Sequence, residues 1–366
     1  MRILLLSAYD AVSHQIWREG LVRHLDEHDW TVLTLPPRFF AWRSRGNTLS
    51  WVFGEREALE KGYDLIVATS MTNLAELKGI APSLASTPAI VYFHENQFSY
   101  PERKARKEYQ NYKLTNIYTA LAADRVLFNS DYNRGTFLNG ARGLLSDMPD
   151  HVPPGVIESI QNKAQVLPVP LETKCYTGGS RGAKGPLRIL WNHRWEHDKA
   201  PDRFFKALYT LQDRNIPFEL NIAGQRFREC PGEFDEARRV LDDRILNWGF
   251  VEDESEYRSL LDSSDLVVST ALHDFQGLAV LDAVAAGCRP LVPDRLAYPE
   301  FIPEEFRYAS FEEDAEREAR ELASRLTELC RDPKETRRME VPDLDHLSWP
   351  ALGKSYREII KEVSRI

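Results

Sequence analysis

Short apolar runs of four to seven residues alternate with longer amphipathic stretches along almost the whole chain. The first series of runs is Arg2–Ser7, Asp64–Thr69, Ala89–His94, Arg125–Asn129 and Gln165–Val169. A second series is Leu187–His193, Phe218–Ala223, Ile245–Trp248, Asp265–Ser269 and Arg289–Val292. These runs are rich in Val, Ile and Leu and mostly do not alternate, as expected of strands buried on both faces. Helical patterns fall between them at Asn111–Ala123, Pro201–Arg214, Ser255–Ser263 and Leu278–Ala286. Strand–helix alternation of this kind predicts parallel sheets with right-handed crossovers. The acidic segment Glu312–Arg331 reads as a solvated amphipathic helix.

The two series are separated by Glu172–Pro186, in which Thr177–Gly185 holds four glycines among polar residues, a linker composition. The expected architecture is α/β: two doubly wound domains facing each other. In such folds ligands bind beyond the carboxyl ends of the strands, so the site is expected in an inter-domain cleft. The 366 residues fit two domains, and no apolar run approaches the roughly 18 residues of a membrane span. Met1–Ser7 is too short for a signal h-region and reads as a buried strand. The four cysteines are far apart with no CxxC pair, which predicts neither zinc nor a disulfide framework and points to a reducing, cytoplasmic compartment. A net charge of −9 excludes a uniformly basic nucleic-acid binder but leaves local patches open.

The clearest chemistry follows the strand at Leu187. Asn192-His193-Arg194-Trp195-Glu196-His197-Asp198-Lys199 places an Arg and a Lys just past a strand end, where both can reach a phosphate. Taken alone, the segment reads equally as a solvated charged turn. Further on, Thr270-Ala271-Leu272-His273-Asp274-Phe275-Gln276-Gly277-Leu278 leads into a helix whose first N–H groups suit an anion. Asp274 reads as a helix cap or a ligand contact. Asp282 lies in the otherwise apolar stretch Leu278–Ala286, where a charge needs a polar partner, and a ligand hydroxyl would supply one.

Arg194 with Lys199, then Asp274 with Asp282, resembles the donor site of retaining GT-B glycosyltransferases, with aspartates where that group typically has glutamates. A narrower resemblance spans nearly the whole chain. Ser13-His14, Pro37–Arg45 (PRFFAWRSR), Phe93-His94-Glu95-Asn96-Gln97, Phe128-Asn129-Ser130, His193–Lys199 and His273-Asp274-Phe275 resemble the tRNA-queuosine mannosyltransferases. These are also called glycosyltransferase-like domain-containing proteins. The resemblance implies a GT-B fold of two Rossmann-like domains: residues 1–171 on the acceptor (tRNA) side, a linker at 172–186, and a nucleotide-sugar domain at 187–346. The helix at 347–366 would cross back to the first domain. It implies transfer of mannose from GDP-mannose to queuosine at the wobble position of tRNA(Asp), with retention and with no cofactor or metal.

By that resemblance Arg194 and Lys199 bind the donor diphosphate, helped by N–H groups of Gln276, Gly277 and Leu278, with Phe275 alongside. Asp282 accepts from the donor ribose, and Asp274 from the transferred sugar. His94 sits against the sugar, next to the polar run Glu95-Asn96-Gln97. On the acceptor side Tyr100–Lys113 carries Arg103, Lys104, Arg106 and Lys107, with Tyr109 and Tyr112 interleaved, and a second patch joins Arg38, Phe39, Phe40, Trp42, Arg43 and Arg45. Basic groups can hold phosphates while aromatics stack on unpaired bases; a solvated helix face with an aromatic plug is the plainer alternative. Ser13 reads as a helix cap, and His14 joins the acceptor-side candidates.

Two rival readings remain open at this point. A GT-B enzyme acting on a lipid or polysaccharide would carry a basic–apolar membrane helix, and the Tyr-rich segment lacks a clear Leu/Phe face. A non-catalytic RNA-binding protein on a GT-B scaffold would not need Arg194, Lys199, Asp274 and Asp282 together.

Overall fold

The computed structural model describes residues 1–99, 107–176, 184–227 and 230–366, the side chains of 107–109 excepted. Arg103, Lys104 and Arg106 lie outside the described residues, as does the side chain of Lys107. The chain forms two compact units: Met1–Pro170 with Leu347–Ile366, and Leu171–His346.

The first unit is built on six parallel strands: β1 (Arg2–Ser7), β2 (Asp29–Thr34), β3 (Leu65–Thr69), β4 (Ala89–Phe93), β5 (Arg125–Phe128) and β6 (Ala164–Val166). Their order is β2-β1-β3-β4-β5-β6. β3 and β4 are buried along their whole length, which is why their sequences do not alternate. The order reverses between β1 and β3, so the loops after these two strands diverge and open a crevice. The closing helix Trp349–Val363 belongs to this unit. Ser348 caps it, and Trp17 Nε1 donates to Tyr356 Oη at 3.1 Å. Gly20 lets the Trp349 ring lie against helix Val12–His24; a Cβ there would stand 2.4 Å from the ring.

The second unit holds β7 (Leu187–Trp191), β8 (Phe218–Ala223), β9 (Ile245–Gly249), β10 (Leu266–Val268), β11 (Arg289–Pro293) and β12 (Arg307–Tyr308). The order is β12-β11-β10-β7-β8-β9, with the reversal between β7 and β10. Helix Pro201–Asp213 starts with Pro at its first position and buries Phe204, Phe205, Leu208 and Leu211.

Four expectations need correcting. β2 and β12 escape the apolar pattern because both are edge strands: Asp29–Thr34 is half-exposed and mixes polar with apolar residues, and β12 has two residues. Ser13 is not a cap; it lies inside helix Val12–His24, whose cap position is Ala11. The linker is not wholly free, since Thr173–Cys175 forms a 3₁₀ turn with Cys175 buried. The acidic segment forms helix Ala315–Arg331, but its Glu318 is fully buried rather than solvated. Among the described residues no helix is long and apolar enough to cross a membrane, and no group of three or more His, Cys, Asp or Glu is arranged to hold a metal.

Candidate active site

In the second unit the candidate residues gather at the reversal between β7 and β10. The loop after β7 is set by Gly224, which has φ +131° and passes so close that a Cβ would stand 1.9 Å from His193 O. Only glycine fits there. Trp195 N donates to Gln225 O at 3.0 Å, and the Trp195 ring stacks on Phe234 at 4.1 Å. With Trp195 buried, the adjoining Arg194 is left half-exposed, 3.0 Å from Glu196.

The loop ends in the short turn His197–Lys199, which carries Lys199 inward. Lys199 Nζ donates to His273 O at 2.5 Å and lies 3.4 Å from Asp198 and 3.6 Å from Asp274. Thr270 Oγ1 donates to Lys199 O at 2.8 Å, and Leu272 N to Asp198 O at 2.8 Å, so the loops after β7 and β10 are stitched together. Arg295 holds the second loop from below, donating to the carbonyls of Thr270 and Ala271 at 3.0 and 2.8 Å. Burial alone would push the Asp274 carboxyl up; Lys199, then His193, outweigh it and hold it below its usual range.

Gly277 closes the loop at φ +77°, under the Tyr298 ring, and helix Leu278–Ala285 begins after it. The Gly277 N–H, expected to face an anion, donates instead to Asp274 Oδ1 at 2.9 Å. Asp274 is therefore both loop cap and partner of Lys199. Phe275 and Gln276 are buried, and Leu278 is half-buried. Asp282 already has a partner within the protein: it pairs with Arg258 on the neighbouring helix Glu254–Ser263, and its charge acts on the Cys175 thiol. Burial, then Asp282, pushes that thiol up to about 12, so it is not a reactive cysteine.

Residues to which the sequence assigns no role of their own complete this site. Asn192 Nδ2 donates to Ala279 O at 2.8 Å, fixing the β7 end to the helix, while its Oδ1 is buried with no hydrogen-bond partner among the described residues. Gly224 and Arg258 are far from the motifs in sequence, and nothing local flags them. His193 is buried beside Lys199, and burial first, then Lys199, pushes its pKa down to about 3 from 6.5. An unfolded chain takes up this proton near pH 6.5, whereas the folded one stays neutral. Stability should fall as pH drops below 6.5, by about 1.4 kcal/mol per pH unit, or about 2 kcal/mol at pH 5. Chemical denaturation at pH 7 and pH 5 checks this, and His193→Gln should flatten the dependence.

In the first unit the reversal between β1 and β3 carries another cluster. His14, on helix Val12–His24, hydrogen-bonds through Nε2 to Glu95 Oε2 at 2.9 Å. Ser70, just past β3, donates to Glu95 Oε1 at 3.2 Å. The His14 and His94 rings stack at 4.2 Å, and Trp17 and Tyr92 wall His94 in. His94 is buried, and among the described residues neither ring nitrogen has a hydrogen-bond partner. Burial, then His14, lowers its pKa well below the usual value, so it is neutral. Ser70 stands outside the sequence motifs, and its one signal is its position directly after β3 at the reversal.

The Asn96 amide, read from sequence as an acceptor contact, is engaged within the protein. Its Nδ2 donates to Asn133 O, Asn133 Oδ1 and Thr136 Oγ1, and its Oδ1 accepts from Phe98 N at 2.9 Å. With Asn129, which donates to His94 O at 2.9 Å, it forms an amide network that fixes the loop after β4. The Gln97 backbone N donates to Asn116 Oδ1 at 2.9 Å. In the patch on helix Phe40–Gly54, Phe40 is the plug, packed on Tyr9 and Tyr112 at 5.5 and 5.3 Å. Arg38, Phe39, Trp42 and Arg45 are exposed, and Arg43 is half-buried.

Residues 186–332 match the family described as glycosyl transferases group 1. Anabaena HepE in complex with UDP superposes with a TM-score of 0.70 at 16% identity, covering 99% of this chain and all of that one. Sucrose-phosphate synthase from Thermosynechococcus elongatus gives 0.68 at 15%, with the same coverage. Two six-stranded parallel sheets, with a cation–carboxylate pair at the strand ends of the second, define a GT-B glycosyltransferase. Residues 2–171 match the family described as tRNA-queuosine alpha-mannosyltransferase N-terminal. The Drosophila melanogaster tRNA-queuosine alpha-mannosyltransferase is 34% identical over 98% of this chain and 96% of that protein. The chain belongs to the tRNA-queuosine alpha-mannosyltransferase family. A shorter match, 32% identical over 119 residues, covers 32% of the chain and 30% of a Mycobacterium tuberculosis GDP-mannose-dependent alpha-(1-6)-phosphatidylinositol dimannoside mannosyltransferase.

Proposed function

We propose that the enzyme transfers mannose from GDP-mannose to queuosine at the wobble position of tRNA(Asp), with retention of configuration and without a metal, in the cytoplasm. The observation that carries this reading is the near full-length relationship to the Drosophila enzyme. The pair of buried Lys199 and half-buried Asp274 supports it from the side of the chemistry. Arg194 and Lys199 hold the donor diphosphate, with N–H groups of Gln276 and Leu278 at the helix start. Asp282, oriented by Arg258, receives a ribose hydroxyl, and Asp274 receives a hydroxyl of the mannose. On departure the bond from the anomeric carbon to the phosphate oxygen breaks as the acceptor oxygen bonds on the same face. The acceptor proton passes to the leaving phosphate, whose charge Arg194 and Lys199 stabilise.

In the first unit His94 offers a neutral ring to a substrate hydroxyl. Glu95, fixed by His14 and Ser70, accepts from another. Arg38, Trp42, Arg43, Arg45 and Gln97 line the acceptor side, and Arg103, Lys104, Arg106 and Lys107 are proposed for it from sequence alone.

A radiolabel assay tests this reading. Queuosine-containing or queuosine-lacking tRNA is incubated with the enzyme and GDP-mannose, UDP-glucose or UDP-galactose. Label is expected only in queuosine-containing tRNA, and only from GDP-mannose. Label from another donor overturns the sugar; label in no tRNA, despite donor turnover, overturns the acceptor.

A further inference from the structure

We propose that Phe39 is a base-stacking platform for an unpaired nucleotide of an RNA loop. The inference rests on the tRNA-acceptor reading above and adds a residue whose backbone is shaped for the task. Phe39 precedes helix Phe40–Gly54 with φ 54° and ψ 54°, the left-handed region that a bulky L residue rarely adopts. Its carbonyl accepts from Trp42 N and Arg43 N at 2.9 and 3.0 Å, which locks the turn. The kink sends two consecutive phenylalanines apart. Phe40 goes inward onto Tyr9 and Tyr112, while Phe39 is turned out and left 72% exposed.

Strain that serves packing would bury the ring; here it presents the ring to solvent. The Arg38 guanidinium lies 5.8 Å from the Phe39 ring centre. One helical turn on, the Trp42 ring lies over Gly46, where a Cβ would stand 2.8 Å from it, and Trp42 stays 52% exposed. Between Asp29 and Glu55 the chain has no acidic residue; its charges there are Arg38, Arg43 and Arg45. In a protein of net charge −9, this local composition fits a polyanion with stackable faces.

The test measures binding of a fluorescent queuosine-containing anticodon stem-loop at fixed ionic strength, and the KM for the same stem-loop in transfer. Phe39→Gly and Phe39→Asn both accept the left-handed turn, so they remove the ring while keeping the fold, with a Tm equal to the parent's or higher. Both are expected to weaken stem-loop binding, and to raise KM, by about 10-fold or more, and Phe39→Trp to restore them. Parent-like binding by Phe39→Gly overturns the platform and leaves the enzyme's proposed reaction standing. A parent protein that binds the stem-loop through Phe39 yet transfers no sugar overturns the reaction and leaves the platform. Loss of binding to anionic vesicles, with RNA binding unchanged in Phe39→Gly, reassigns the patch to a membrane surface and overturns the proposal.

Discussion

Replacing Lys199 by Ala is expected to lower mannose transfer by about 10²–10³-fold, the range seen when one preorganised charge-stabilising donor is removed. The expectation follows from where the ammonium is held. Lys199 is nearly buried, and its carbonyl is hydrogen-bonded by Thr270 while Nζ donates to His273 O, so both ends of the residue are fixed before substrate arrives. A cation fixed in this way needs little reorganisation when charge develops on a leaving phosphate. The same change removes the largest of the influences that hold the Asp274 carboxyl below its usual range, so the loss reaches the carboxylate proposed for the mannose hydroxyl.

Lys199→Met, which fills more of the space, should lose transfer to the same degree, while stem-loop binding stays within about twofold of the parent. A variant that folds, binds the stem-loop and transfers at the parental rate would remove Lys199 from the donor site. Weak stem-loop binding by a folded variant would show instead that Lys199 acts on the acceptor.

Much of this site is legible in the sequence because its chemistry is local. Arg194, Lys199 and Asp274 each lie a few residues beyond an apolar strand, and the parallel-sheet pattern alone places strand ends together. What the sequence hides is the partner of each charged group. Asp282 sits in an apolar helix and reads as waiting for a ligand, yet Arg258, 24 residues earlier, already pairs with it. Asn96 sits in a polar run that reads as a binding loop, and its amide is consumed by Asn133, 37 residues away. Long-range pairing also explains why Glu318 looked solvated: periodicity puts it on a helix but does not reveal two arginines waiting from other elements.

Glu318 carries the largest expected effect on stability. Its Oε2 accepts from Arg295 Nη1 at 2.6 Å and from Phe311 N at 2.7 Å, its Oε1 accepts from Arg295 Nη2 at 2.9 Å, and Arg203 lies 2.9 Å from it. All three side chains are buried. Glu318→Ala strands two guanidinium groups away from water without a counter-charge, a change that costs about 3–5 kcal/mol when a buried pair is broken. For a unit of this size that is a fall in Tm of about 6–20 °C by calorimetry. Burial alone would raise the Glu318 carboxyl; the hydrogen bonds and charge of Arg295, then Arg203, outweigh it and hold it below its usual 4.5. Its stabilising effect is therefore complete above pH 4.5 and is lost as pH falls through the lower folded value, so parent and Glu318→Gln should converge in acid. Because Arg295 also holds the carbonyls of Thr270 and Ala271, the loosened loop should raise KM for the donor sugar nucleotide more than it lowers kcat. A Glu318→Ala protein melting within a degree of the parent would show that the two arginines find other partners. In that case the clamp does not set the position of Asp274.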